Sequence, residues 1–192
     1  MHATVIIPTF KRPDRLRRTL LGLNRQRTIF SFEVIVIEDG PQEAFTQTCA
    51  AKLDVCYPIQ WLADPSDSRR PRGAAWARNH GIRAARGDVL LFLDDDMIVA
   101  EGFIDAHMAV HRAQPRCGVI GLRRRVPSAR WVCIPEEDLV ALAAASQPDP
   151  RLNALVSGAL TETPWAYFAT CNASVGRDEV LAVGLFDEAF RS

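Results

Sequence analysis

The chain has 192 residues, 48% of them hydrophobic and 24% charged. This balance suits a globular domain long enough to bury a core, and it excludes a disordered tail, a collagen-like rod and a coiled coil. Lys and Arg total 23 against 23 Asp and Glu, so a generic polyanion binder, which needs surplus cations, is excluded and no nucleic-acid partner is expected.

The first half alternates short apolar runs with helical patterns. Thr4–Ile7 reads as a buried strand, ended by Pro8-Thr9, which bends it outward. Pro13 opens a helix whose Leu16, Leu20 and Leu23 share one face. Phe32–Ile37 is a second strand, ending at Glu38-Asp39-Gly40, and Gln42–Leu53 reads as helical. Ile59–Leu62 is a short strand. Gly73–Ala85 is an Ala-rich helix with Gly87 as its C-cap. Val89–Leu93 is a third strand, Ile104–Arg112 a helix and Val119–Leu122 a further strand. In the second half, Arg123-Arg124-Arg125 and Pro127 mark a solvated loop, Leu139–Ala145 an amphipathic helix, and residues 146–164, rich in Pro, Ser and Asp, a mobile stretch. Trp165–Thr170 reads as a strand and Asp178–Val183 as a short helix.

Strands that are apolar throughout, alternating with helices, imply an α/β fold with a mostly parallel sheet covered on both faces. Ligands of such sheets sit beyond the carboxyl ends of the strands. Here those ends carry Pro8-Thr9, Asp39 and the triplet Asp94-Asp95-Asp96.

The triplet is the sharpest chemical feature. Period 2 places Asp94 and Asp96 on one side and Asp95 on the other. Two carboxylates on one side suit a hard cation, Mg²⁺ or Mn²⁺, with open positions for diphosphate oxygens; a solvated acidic turn is the plain alternative. Asp39 either accepts hydrogen bonds from a base or sugar or shapes the turn before Gly40. Thr9 either bonds a nucleotide or ends a strand. Arg69, Arg70, Arg72, Arg78 and Arg83 surround Gly73-Ala74-Ala75, where a helix start favours anions.

Charge is also uneven. Residues 1–93 carry 14 basic and 9 acidic side chains, and 94–192 carry 9 and 14. This is either chance or a basic half facing an anion clamped by metal from the acidic side. His107 and His111, four apart on a helix, can hold zinc, but no third ligand is placed nearby. The five cysteines lack a CxxC spacing and read as buried free thiols of a reducing compartment. No apolar run approaches the ~18 residues of a membrane span. The N-terminus lacks a signal peptide's basic region and cleavage site. A cytoplasmic location is expected, either free or peripheral at the inner membrane face.

Several segments together resemble the family-2 glycosyltransferases, members of the nucleotide-diphospho-sugar transferase superfamily with the GT-A fold. They are Val5-Ile6-Ile7-Pro8-Thr9-Phe10-Lys11-Arg12, Val34–Gly40, the Arg78-Asn79-His80-Gly81 helix, and Gly87–Asp96 with its DxD motif. Asn172–Val175 and Gly184-Leu185-Phe186-Asp187-Glu188 are similar to the acceptor-side segments. The resemblance implies a Rossmann-like GT-A domain over 1–192, with 1–96 as the nucleotide-sugar half and 97–192 as an incomplete acceptor-side half. It implies inverting, metal-dependent transfer of a sugar from a nucleotide-diphosphate sugar to an acceptor hydroxyl. The acceptor, whether glycan, lipid-linked or small molecule, is not named by it. Pro8, Thr9, Phe10, Arg12, Asp39, Arg72, Arg78, Asp94 and Asp95 would bind the donor. Asp94 and Asp96 would bind Mg²⁺ or Mn²⁺.

The family's catalytic base is expected past Ser192, in a C-terminally truncated domain, and Asp187 and Glu188 match a structural motif instead. A non-catalytic GT-A-like module that binds a nucleotide sugar or serves as a scaffold is the alternative. A nucleotidyltransferase fits less well, because no Gly-rich, Lys-bearing loop follows the first strand.

Overall fold

The first two strands, β1 (His2–Thr9) and β2 (Ser31–Glu38), are rich in Val and Ile, whose branched side chains suit a pleated surface. The computed structural model of the chain describes residues 1–40, 53–64, 71–126, 135, 138, 141, 146–160 and 167–190. In it β1 and β2 pair in parallel, from His2 beside Ser31 to Thr9 beside Glu38. A third strand, β3 (Ile59–Ala63), joins β2 in parallel, and β4 (Val89–Leu93) joins the other side of β1 in parallel. Beyond β4 the sheet turns antiparallel. With β5 (Gly118–Ile120), a small pair β6 (Arg124–Arg125) and β7 (Gln147–Pro148), and β8 (Asn172–Gly176), the main sheet runs β3-β2-β1-β4-β8-β5.

Period 2 sorts the strand residues into two cores. Val5, Ile7, Val34, Val36, Leu91 and Leu93 pack with Leu16, Leu20 and Leu23 of helix α1 (Pro13–Asn24) and with Ile104 and Met108 of α3 (Phe103–Ala113). Ile6, Ile35, Ile37, Leu90 and Phe92 pack on the opposite face with Trp76, Ala77 and Ile82 of α2 (Ala74–Ala84). Burying each large side chain contributes about 1.5–3 kcal/mol, and neither face of the sheet is left to water. That is why these strands are apolar throughout. Two further helices are α4 (Asn153–Val156) and α5 (Arg177–Val183), and Val180 of α5 joins the second core.

Several expectations need correction. β1 does not bend at Pro8-Thr9: both residues stay paired with β2, and the turn comes at Lys11, with φ 54°. Gly87 is not a C-cap, because α2 ends at Ala84 with Ala85 as its cap and Gly87 has no positive φ. It is required by close approach, since a Cβ there would lie 2.7 Å from the backbone of Ala3 and Thr4. Residues 167–170 are not a strand, and the pairing segment starts at Asn172. Within residues 146–160 lie β7, a 3₁₀ turn over Pro150–Leu152 and α4. Arg124 and Arg125 form β6, and the Arg123 side chain is only 9% exposed. Cys56 is exposed, while Cys117 and Cys171 are half-buried. The expected helices at Gln42–Leu53 and Leu139–Ala145, Arg69, Arg70, Cys49 and Cys133 lie wholly or mostly outside the described residues. Among the described residues no helix is long and apolar enough to cross a membrane.

Candidate functional site

The chain lays down β1, β2 and β3 outward, then returns to place β4 on the other side of β1. The carboxyl ends of β1 and β4 therefore flank a switch point, where open α/β sheets hold ligands. A cleft of about 410 Å³ lies there, lined by Pro8, Thr9, Phe10, Arg12, Asp39, Pro71, Gly73, Ala74, Arg78 and Asp94–Asp96. The three strand ends singled out in the sequence thus meet.

The Asp triplet alternates as period 2 requires. The Asp94 and Asp96 side chains are each 37% exposed, and that of Asp95 is 6% exposed. Asp95 turns inward and accepts from Thr9 Oγ1 at 2.7 Å, while its backbone carbonyl accepts from Thr19 Oγ1 at 2.9 Å. Thr9 therefore ties the ends of β1 and β4 together. Three arginines from the basic half meet the triplet. Arg78 donates to Asp94 Oδ1 at 2.9 Å, and Arg15 to Asp96 Oδ2 at 3.2 Å. Arg12 lies 3.6 Å from Asp95 and 3.9 Å from Asp96. Burial pushes the Asp94 and Asp95 carboxyls above the ordinary carboxylate range. At Asp94 the Arg78 guanidinium opposes this and the charge of Asp96 adds to it.

Asp39 follows β2 and is buried. Its two oxygens accept the backbone N–H groups of Arg72 and Gly73, each at 2.8 Å. Gly73 holds φ +106°, a left-handed conformation in which its N–H reaches Asp39 and from which α2 starts. Asp39 is thus a carboxylate set at a helix N-terminus, where the dipole favours it. Arg72 does not line the cleft with its side chain. Its Nε donates to buried Asp64 at 2.8 Å and its guanidinium lies 5.1 Å over Trp76, so its backbone N–H is what it brings to Asp39.

The donor set fits a Mg²⁺-type ion in one particular way. Asp94 and Asp96 offer hard oxygens at the cleft, and no cluster of three or more His, Cys, Asp or Glu able to hold a metal exists among the described residues. Such an ion would take only a minority of its six or so ligands from these residues, leaving room for phosphate oxygens and water. Arg78 Nε is buried with no hydrogen-bond partner, a donor left over for an anion. His107 and His111, for which no third zinc ligand was placed in the sequence, bond Ser174 and Asn172.

Residues 4–138 match the family model described as "Glycosyl transferase family 2". The chain belongs to glycosyl transferase family 2. An uncharacterised glycosyltransferase of Bacillus subtilis, YfnE, is 28% identical over 98% of this chain and 56% of its own length. Validoxylamine A glucosyltransferase of Streptomyces hygroscopicus subsp. jinggangensis is 29% identical, over 97% and 47%. The hyaluronan synthase of Pasteurella multocida is 27% identical, over 97% and 21%. This family-2 chain thus spans about half, or less, of the length of the curated relatives it matches. Among solved structures, a mannosyltransferase of Pyrobaculum calidifontis in complex with GDP-Man and Mn²⁺ superposes with a TM-score of 0.62 at 20% identity, over 97% of this chain and 47% of that one. TarS of S. aureus in complex with UDP gives 0.67 at 16% identity, over 100% and 52%. The fold is GT-A.

Two residues of this family-2 site escaped the sequence reading. Arg15 of α1 lies three residues after Arg12, which precedes the helix at its N-cap, and both reach the Asp triplet. Asp64 follows an apolar strand just as Asp39 does, and that signal was legible. Asp187 and Glu188 lie outside the cleft lining. Glu188 accepts from Asn79 at 2.8 Å and sits 3.9 Å from Arg83, which makes it a tether between α2 and the last described segment.

Proposed function

We propose that this chain is the donor-binding part of a glycosyltransferase, one that moves a sugar from a nucleotide-diphosphate sugar to an acceptor hydroxyl with inversion and with the help of Mg²⁺ or Mn²⁺. One observation carries the reading: strand ends distant in sequence bring Asp39, Asp94 and Asp96 to one cleft at the switch point of the sheet. Family membership and neighbours named with GDP-Man, Mn²⁺ and UDP support it.

The chain's own residues divide the work by position. Pro8, Thr9 and Phe10 wall the nucleoside, and Asp39, fixed by two backbone N–H groups, keeps lone pairs for it. Residues 1–96 thus act as the nucleotide-sugar half and 97–192 contribute the acceptor-side wall of the same domain. Asp94 and Asp96 would hold the cation, and Asp95 keeps β4 tied to Thr9. A divalent ion held there would offset the negative charge of a diphosphate leaving group. Arg78 and Arg12 add guanidinium donors beside it, so charge developing on the leaving group meets fixed partners that need no reorganisation. Inversion follows if the acceptor hydroxyl attacks opposite the nucleotide, in a direct displacement. Its proton goes to a carboxylate base for which the described residues offer no candidate, because Glu188 is tied to Asn79 and Asp187 lies outside the cleft.

Thermal unfolding with UDP, GDP and TDP and their sugars, with and without Mn²⁺, tests the reading. A ligand at 100 times its Kd adds about 2.7 kcal/mol, roughly 5–10 °C for a chain this long. The shift should require Mn²⁺ and vanish in Asp96→Ala. A shift that survives Asp96→Ala refutes the cation site, and no shift with any nucleotide refutes the donor site.

A further inference from the structure

Helix α3 and strand β8 meet through buried polar side chains that the donor cleft does not use. His107 Nδ1 lies 2.7 Å from Ser174 Oγ, and His107 Nε2 lies 3.0 Å from Asn172 Oδ1. His111 Nε2 lies 2.8 Å from the same Ser174 Oγ, and His111 Nδ1 lies 3.8 Å from Cys117 Sγ. Ser174 is fully buried, and His107, His111 and Asn172 nearly so.

The direction of every bond follows from one end. Asn172 Nδ2 donates to the Leu122 carbonyl at 3.1 Å, a group that only accepts. The amide oxygen therefore faces His107 Nε2, which must carry the hydrogen. His107 Nδ1 is then bare and accepts from the Ser174 hydroxyl. That oxygen, its hydrogen spent, accepts from His111 Nε2–H. His111 Nδ1 is left bare toward Cys117. Both rings are neutral Nε2–H tautomers, and each donor meets an acceptor.

An added proton is tolerated unequally along this run. On His107 it would set a ring N–H against a hydroxyl already donating toward it. Burial holds the His107 pKa down at about 4. Around His107 stand Ser174 and Asn172 of β8, His111 and the edge of the Phe103 ring, 5.0 Å away. Burial lowers the His111 pKa as well, Glu179 of α5 opposes this, and the ring faces Cys117. A proton on His111 Nδ1 leaves the links through Ser174 unchanged.

The far end of the run reaches the cleft. Asn172 pairs with Leu93, the residue before Asp94. The Gly121 amide donates to the Asn172 carbonyl at 3.0 Å, and a Cβ on Gly121 would lie 2.2 Å from Asn172 Oδ1, so this segment packs directly on the Asn172 amide. Arg123 follows, its side chain mostly covered, with one nitrogen 2.5 Å from Cys171 Sγ and another 3.3 Å from Asp149. The segment is thus placed by Asn172, whose strand partner Leu93 directly precedes Asp94.

We infer that His107, His111 and Ser174 are positioning residues, a one-way chain of neutral hydrogen bonds that sets Asn172 and, through it, the Gly121–Arg123 segment beside Asp94. The inference rests on the donor-site reading only for what Arg123 faces.

Long-range ¹H–¹⁵N correlation spectra of the full chain test it. Both rings should show the neutral Nε2–H pattern at neutral pH, and His107 should keep it as His111 begins to titrate. In Ser174→Ala the single tautomers should be lost, and the Asn172 side-chain amide and the Arg123 amide should shift. The Arg72 and Gly73 amides, held by Asp39, should stay in place. An Nδ1–H tautomer on either ring of the unaltered chain overturns the inference, even if Ser174→Ala fails to fold. Unchanged Arg123 signals in a folded Ser174→Ala overturn it as well. Addition of UDP with Mg²⁺ to the unaltered chain should move the Gly73 amide; an unmoved Gly73 overturns the donor-site reading alone, because the tautomers are decided without any ligand.

Discussion

Replacing Asp39 by Asn tests how the cleft is held together. The carboxylate accepts two backbone N–H groups, from Arg72 and Gly73, each at 2.8 Å, and the residue is 6% exposed. Both partners are donors, so no flip of an Asn amide can satisfy them together. One charge-assisted bond becomes a neutral one, and the other backbone N–H faces an NH₂ group. A bond to a charged group is worth about 1.5–3 kcal/mol, and a buried donor left unpaired costs about 1–3 kcal/mol. The expected loss is therefore about 2–4 kcal/mol, because the two terms partly describe the same broken contact. Urea unfolding at neutral pH, followed in parallel for the two proteins, measures it from the midpoints at constant slope. The Asn variant should also lose most of its nucleotide-dependent thermal shift, since the start of α2 and the nucleoside wall share this carboxylate. A stability change below about 0.5 kcal/mol, the range of ordinary surface substitutions, would refute the claim that Asp39 anchors α2.

Acid should weaken the fold through His107. Its folded pKa, about 4, lies below the ordinary 6.5, so the unfolded chain binds the proton more readily. Stability is then lost as pH falls through this window, by roughly 3 kcal/mol in all. Urea midpoints measured across this pH range should fall less steeply in His107→Gln, and equal slopes would refute the assignment. Gly87→Ala should cost about 1–3 kcal/mol, because the new Cβ would press on the backbone of β1 at 2.7 Å; calorimetry showing an unchanged Tm would argue that the close approach is relieved. Asp96→Ala should abolish the Mn²⁺-dependent nucleotide shift while leaving the unliganded Tm nearly unchanged, as its carboxylate is 37% exposed and its arginine partners are half-exposed.

The sheet was legible because burial on both faces writes itself into composition. Val5-Ile6-Ile7, Val34–Ile37 and Val89–Leu93 have no polar side to misplace, and the last stops at Asp94, a residue a strand interior rejects. The division of the Asp triplet, with Asp95 inward and its neighbours outward, follows from the same period of two and needed no coordinates. Local chemistry of this kind also suggested that Asp39 and the triplet were special, and the ordered motifs named the family.

The tertiary structure alone decided which groups meet. That Thr9 and Asp95, 86 residues apart, share a hydrogen bond depends on β4 returning to the side of β1 away from β2. That Arg78 rather than Arg72 reaches the cleft depends on where α2 begins, and that in turn on the two bonds from Asp39. His107 and His111 look like metal ligands on a helix until Ser174 and Asn172 arrive from β8 to occupy them. Period, propensity and strand ends are properties of neighbours along the chain, whereas partner choice among buried polar groups is fixed by sheet order and packing between segments far apart in sequence.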